Sequence, residues 1–259
     1  MVVHIPHNQL HDFLPMFDEH KYFRSFLAAI PYQSLGMGFT DDLNAPTVVL
    51  FSLDWMRFLA GDYQSPRLRD VVSKIPEGTP FLVPNDNWVP RLQQCWNYLG
   101  KGRRTALSSA HLSLAHVRQF LGPVPSGFAV HKVDISIARQ LDLDQWDHIP
   151  KYFGSVEQFV TQGLAYVIKD VHHDTVVCMA SSYLPYTDTL ELDIVTLTDY
   201  RQKGLATIAC AHLITECLQH GIKPHWDAMN DMSVNLALKL GYTDPEPYKL
   251  YGWFTKKPE

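Results

Sequence analysis

The sequence predicts an α/β protein built on a mixed, α+β-type sheet, and three observations carry that expectation. Short runs rich in Val, Ile, Leu, Phe and Thr recur along the chain, separated by segments with apolar residues at helical spacing. In the second half, three strand-like runs, residues 164–169, 175–182 and 190–197, follow one another across short turns, the order of an antiparallel meander. After them the pattern becomes strand, helix, strand, and two neighbouring parallel strands require such a crossover.

At 259 residues the chain has room for two domains. A boundary is expected in Leu121-Gly-Pro-Val-Pro-Ser-Gly127, where two prolines and two glycines interrupt both helix and strand. That gives a smaller N-terminal α/β domain, 1–122, and a second domain, 127–259. In the first, residues 46–53, 79–83 and 103–109 read as strands, 65–75 and 88–99 as helices, and Gly36-Met-Gly38 as a loop. Aromatic segments around Trp55, Trp88 and Trp96 are expected to form its core. In the second, residues 128–133 read as a strand and 135–143 and 156–162 as helices before the meander. A helix over 204–219, a strand over 223–229, a helix over 233–240 and a strand over 248–254 follow it. No internal repeat is legible.

Hydrophobic residues make up 46% and charged residues 19%, a globular composition. No apolar run reaches the roughly 18 residues that span a bilayer, and the opening Met1-Val-Val-His-Ile-Pro-His7 lacks the order of a signal peptide. A cytoplasmic location away from membranes is expected. Cys95, Cys178, Cys210 and Cys217 form no C-x-x-C pair and read as buried apolar side chains. With a formal charge of −5 and only Arg103-Arg104 and Lys256-Lys257 as basic doublets, the chain offers no basic stripe for nucleic acid. The acidity suits a cationic or amine-bearing substrate.

The stretch Leu190-Glu-Leu-Asp-Ile-Val-Thr-Leu-Thr-Asp-Tyr-Arg-Gln-Lys-Gly-Leu-Ala206 reads as a strand, a tight polar turn and the start of a helix. Physically it is an anion cradle. Gly204 permits close backbone approach, Ala206 keeps the first helical turn small, and the unpaired N–H groups of that turn suit a diphosphate. Arg201 and Lys203 add positive charge. Leu205, Ala209, Leu213 and Cys217, widened by Ile214 and Leu218, form the stripe that seats the helix, and His220-Gly221 closes it. Gly-x-Gly-x-x-Gly and Gly-x-x-x-x-Gly-Lys-Ser/Thr patterns are absent.

These residues resemble the GNAT N-acetyltransferases. The diphosphate signature of that family is Arg or Gln, two residues, Gly, one residue, then Gly or Ala, and Arg201-Gln202-Lys203-Gly204-Leu205-Ala206 matches every fixed position. A second block, Asn230-Asp-Met-Ser233 leading through Leu236, Ala237 and Leu240 to Gly241-Tyr242, is similar to the family's Asn-x-x-(Ala/Ser) to Leu-Gly-Phe segment. The resemblance covers about half the chain. With Trp226-Asp227 and its overall length, the protein also looks like the branch that includes the zwittermicin A resistance acetyltransferase. The resemblance implies a GNAT acyltransferase fold in the second domain, with the N-terminal domain setting specificity or repeating the fold in degenerate form. It implies acetyl-coenzyme A as co-substrate and the strands 190–197 and 223–229 splayed around its pantetheine arm. Val195 and Leu197 would pair with that arm through their backbone, the loop from Arg201 to Ala206 would hold the diphosphate, and Asn230 and Ser233 would lie near the thioester. Asn230 is equally well explained as a helix cap.

Transfer of an acetyl group to an amine needs a base, because an aliphatic ammonium must lose a proton before it attacks. Glu191 and Asp193 lie two apart on one strand, hence on one face. Glu191 is expected as the base and Asp193 as support or substrate ligand. Where many family members carry a tyrosine acid, this chain has Ala237, which leaves the acid open between Tyr242, Tyr248 and water. That departure also admits a non-catalytic acyl-coenzyme A-binding module as the alternative. His172-His173 reads as a solvated turn, and His4, His7 and His11 as a terminal segment rather than metal ligands; no metal is expected. Trp226 and Asp227 are candidates for the acceptor site. The expected partner is a small-molecule amine, with the protein a monomer or a homodimer.

Overall fold

The computed structural model describes residues 2–31 and 35–256. The strands are β1 (Val3–Ile5), β2 (Met37–Thr40), β3 (Val48–Leu53), β4 (Met56–Gly61), β5 (Phe81–Leu82), β6 (Tyr98–Ser108), β7 (Phe128–Lys132), β8 (Ala165–Asp170), β9 (Thr175–Ser182), β10 (Thr189–Thr196), β11 (Lys223–Ala228) and β12 (Thr243–Phe254). They belong to two compact units, one formed by Met1–Arg104 with Pro247–Glu259 and the other by Thr105–Glu246.

The division differs from the one expected at the proline- and glycine-rich stretch. Strand pairing explains the difference. Thr105, Ala106 and Leu107 of β6 pair antiparallel with Ala228, Asp227 and Trp226 of β11, so the chain enters the second unit well before Gly122. At the other end Tyr251 of β12 pairs with Phe81 of β5, which returns the C-terminal strand to the first unit.

In the first unit the strands run β1-β2-β3-β4-β5-β12. The β1 to β4 neighbours are antiparallel, whereas β5 lies parallel to β4 through Arg57↔Phe81 and Phe58↔Leu82. The core gathers Val48, Leu50 and Leu59 from the sheet, Leu68, Val71 and Val72 from the helix Leu68–Val72, and Trp88. Three sequence expectations need correction here. The loop around Gly36-Met-Gly38 runs into β2, and a Cβ on Gly38 would stand 2.7 Å from the Leu10 side chain, so the glycine serves close packing rather than a turn. The helix expected over 88–99 stops early, at Val89–Leu92. Gln94 then gives its carbonyl to the Arg69 guanidinium, and Trp96 stacks on Trp253 with ring centroids 5.8 Å apart. The hairpin strand β4 was not expected at all, since Arg57 breaks its apolar pattern.

The second unit has the order β6-β11-β10-β9-β8-β7. Strands β8 to β10 form the expected meander, β7 extends it by pairing antiparallel with β8, and the helix Leu205–Gln219 carries the chain to β11, parallel to β10. The helix expected over 135–143 is one turn, Ile135–Ala138, capped by Asp134, whose Oδ1 accepts from Ile137 N at 2.9 Å. Leu205, Ala209, Leu213, Ile214 and Cys217 are buried against Leu190, Leu192 and Trp226, with Leu218 partly buried beside them. Cys178, Cys210 and Cys217 are buried free thiols. No described helix is long and apolar enough to cross a membrane.

Both units thus repeat one sequence of pairings. A meander leads through a helix to a strand parallel with the meander's last member. In each, the outer neighbour of that parallel strand comes from a distant stretch of chain, β12 beside β5 and β6 beside β11.

Candidate functional site

In the second unit β10 and β11 pair only over Thr189–Glu191 and Lys223–His225. Beyond that point Trp226 to Ala228 pair with β6, while Leu192 to Thr196 keep their ladder to β9 alone. The strands therefore part immediately after Glu191 and His225. The β10 edge that faces the parting has main-chain groups without a strand partner among the described residues, and such an edge accepts an extended chain.

At the far end of β10 the chain turns through residues 198–204 into the helix Leu205–Gln219. Gln202 and Gly204 are both left-handed, with φ of 61° and 80°. Gly204 is the N-cap and no side chain caps the helix, so its first N–H groups face outward. A Cβ on Gly204 would meet no atom within 4 Å, which leaves the approach to those N–H groups open. Arg201 Nε donates to Thr196 O at 3.1 Å, and Lys203 Nζ sits 4.9 Å from the centre of the Tyr200 ring, so the two cations of the loop are held beside the turn. Val195 and Leu197 are half-buried, whereas residues 201–204 are exposed. Asp170 anchors the turn from β8: the Tyr200 hydroxyl donates to its carboxylate at 3.1 Å, and His173 Nδ1 lies 3.0 Å away.

At the start of the helix Asp231–Lys239, Asn230 is the N-cap, its Oδ1 accepting from Ser233 N at 3.0 Å. Ser233 Oγ accepts from Trp226 Nε1 at 3.0 Å. Trp226 is therefore a core residue, 2% exposed and edge-on to Tyr242, rather than a wall of an acceptor site.

Leu190 and Leu192 face the helix Leu205–Gln219, which leaves Glu191 and Asp193 together on the other face. Glu191 is buried, and its Oε2 lies 2.8 Å from His225 Nδ1. The Glu191 charge raises the His225 pKa to about 9 against the opposing effect of burial. Asp193 differs from its neighbour. No side chain hydrogen-bonds to it among the described residues, and burial, with smaller contributions from Asp147 and Glu191, raises its pKa to about 6 despite the Ile194 backbone N–H. Directly across the ladder stands Ser181, whose Oγ is 3.2 Å from His148 Nε2. Burial lowers the His148 pKa to about 4, so that ring is neutral at pH 7.

Of the two tyrosines considered as an acid, Tyr242 is not suited to it. Tyr242 donates to Pro224 O at 3.0 Å inside the core, where burial holds its hydroxyl well above the ordinary tyrosine pKa. Tyr248 belongs to the other unit and stacks on Tyr22. His225 carries no local sequence signal, because it meets Glu191 across 34 residues of chain through a strand register.

A meander, a crossover helix with an open N-terminus and two parallel neighbours that part beside it define the acyltransferase class of mixed-sheet folds. The chain belongs to the GNAT acetyltransferase family, whose model matches residues 15–251. The match extends well beyond the half in which the sequence motifs lie. The uncharacterized N-acetyltransferase YdfB of Bacillus subtilis is 27% identical over 248 residues, covering 91% of this chain and 92% of that protein. A GCN5-related N-acetyltransferase-like protein from Streptococcus suis superposes with a TM-score of 0.77 at 28% identity, over 95% of this chain and 99% of that one. A tandem GNAT protein from the clavulanic acid biosynthesis pathway shares the fold at 10% identity, with a TM-score of 0.60 over 97% and 96% of the two chains.

Proposed function

We propose that the second unit binds acetyl-coenzyme A and moves its acetyl group to an amine of a small molecule by direct attack. The observation that carries this reading is the parting of β10 and β11 beside the uncapped helix Leu205–Gln219. The open helix N-terminus, the left-handed Gln202 and Gly204, Arg201 and Lys203 suit a diphosphate. The edge of β10 that is left without a strand partner among the described residues, at Leu192 and Ile194, suits an extended amide-bearing arm, with Asn230 and Ser233 at the neighbouring helix start; Val195 and Leu197, expected for that role, turn their main chain toward β9, where Leu197 N–H donates to Val177 O. The co-substrate supplies an activated acetyl group, and the remaining tasks fall to the chain.

Two observations support giving the base's role to Asp193 rather than Glu191. Among the described residues Asp193 has no competing side-chain hydrogen-bond partner, and a carboxylate with a pKa near 6 is mostly ionised at neutral pH yet basic enough to take a proton from an attacking amine. Glu191 is engaged with His225. Holding amine and thioester in one wedge supplies much of the rate. An antibiotic-sized amine, as for the zwittermicin A branch, is the acceptor class this reading favours.

Calorimetric titration with acetyl-coenzyme A tests the reading. Micromolar binding is expected for the wild type and is lost in Gly204→Glu, which sets bulk and negative charge at the cradle. Absence of binding by the folded wild type overturns it. The second reading, a binding module without transfer, draws on Ala237, which is fully buried and offers no acid. It gains if acetyl-coenzyme A binds but no amine in a broad screen releases free thiol.

A further inference from the structure

Resting on the acetyl-transfer reading, we propose that His225 is the catalytic acid that protonates the departing thiolate, taking the part that Ala237 leaves vacant, with Glu191 as its positioning partner. The argument begins with place. Glu191↔His225 is the last pair of the parallel ladder, so the imidazole stands at the apex where β10 and β11 separate. The ring is fixed from one side by the 2.8 Å contact of Nδ1 with Glu191 Oε2, and Glu191 keeps only 7% of its side-chain surface exposed. From the other side it is accessible. The His225 side chain retains 28% exposure, and Nε2 has no hydrogen-bond partner among the described residues. A ring tied at one nitrogen and open at the other, beside the wedge, is built to hand over a proton in one direction.

The charges around it favour the protonated form. Glu191 and, one step on, Asp193 face it from β10, and Asp227 follows on its own strand, whereas the β6 residues paired with β11 are Thr105, Ala106 and Leu107, none of which titrates. The Glu191 charge is the main cause that raises the pKa to about 9, with Asp227 adding to it, so the imidazolium persists across neutral pH. A thiol leaving group has a comparable pKa, and transfer between groups of similar pKa is efficient.

The step balances as follows. The neutral amine nitrogen forms a bond to the acetyl carbon and gives its proton to Asp193, while the carbon–sulfur bond breaks with its electron pair going to sulfur. His225 Nε2 donates its proton to that sulfur. The products are an amide and a free thiol; Asp193 is left protonated and His225 neutral, and solvent exchange resets both.

The test compares wild type with His225→Gln and Glu191→Gln. His225→Gln is expected to lower kcat by about 100-fold, as loss of an acid does, to change the KM for acetyl-coenzyme A less than about threefold, and to abolish the fall in rate near pH 9. Glu191→Gln should move that fall toward the ordinary histidine value near pH 6.5. A readout independent of turnover is the affinity for free coenzyme A relative to desulfo-coenzyme A at pH 8.5. The imidazolium should favour the bound thiolate by about tenfold in the wild type, and that preference should vanish in His225→Gln. If His225→Gln fails to fold, an NMR titration of the wild type decides: the His225 ring signals should stay in the imidazolium form past pH 8 and shift with coenzyme A but not with desulfo-coenzyme A. Retention of the thiol preference or of the alkaline fall in His225→Gln, or ring signals indifferent to bound coenzyme A, overturns the inference. A wild type that binds no coenzyme A instead overturns the acetyl-transfer reading itself.

Discussion

Asp193 and His225 stand on one face of neighbouring strands, and both are displaced upward from their ordinary pKa values for opposite reasons. Burial penalises the Asp193 carboxylate, whereas the Glu191 charge holds the proton on His225. The sign of each effect on stability follows by linkage. Asp193 binds its proton more tightly in the folded protein, so its contribution is fully present below pH 3.8 and is lost as pH rises through about 6. Asp193→Asn should therefore raise the melting midpoint at pH 7.5, by at most about 3 kcal/mol of stability at ~1.4 kcal/mol per unit, and leave it unchanged at pH 3. Thermal unfolding at the two pH values checks this, and the same variant should lose activity at pH 7.5. For His225 the stabilising window lies below pH 6.5 and closes through about 9, so His225→Gln should cost more stability at pH 6.5 than at pH 10. Such trade between a site's chemistry and stability is general.

The helix starts show how far local sequence reaches. The turn Arg201–Ala206 was legible because glycine, cations and the following apolar stripe lie within one short stretch, and everything the cradle needs is local. Asn230 was legible as a cap for the same reason. Asn230→Ala should destabilise the helix Asp231–Lys239 by about 1 kcal/mol and, by loosening Ser233, release the Trp226 indole N–H; a change in tryptophan fluorescence on chemical denaturation would report it. The Glu191–His225 pair was not legible. It exists only because residue 191 meets residue 225 in a parallel register, and a shift of one residue would turn either side chain to the opposite face. The early end of the Val89–Leu92 helix and the hairpin strand β4 escaped too, because tertiary partners overrode the local pattern.

At the scale of the whole molecule, the repeated order of meander, helix and parallel strand leaves no internal repeat in the residues, since β5 spans only Phe81–Leu82 where β11 spans Lys223–Ala228; the resemblance alone offered a degenerate repeat, as one of two expectations for the N-terminal half. The family match over residues 15–251 reaches into both units. Outer-strand membership can be tested by removing residues 247–259. The shortened chain should lose amide-exchange protection around Phe81 and Leu82 of the first unit, which β12 covers, while β7 to β10 of the second unit stay protected. Equal loss in both units would contradict the assignment. One consequence concerns synthesis on the ribosome. Thr105–Glu246 is contiguous and has all of its strands once Glu246 has left the exit tunnel, whereas the unit whose residues are translated first must wait for Pro247 onward before β5 acquires its outer neighbour. A stop codon that removes Pro247 onward would thus leave incomplete the unit to which residues up to Arg104 belong, although those residues are translated before Thr105–Glu246.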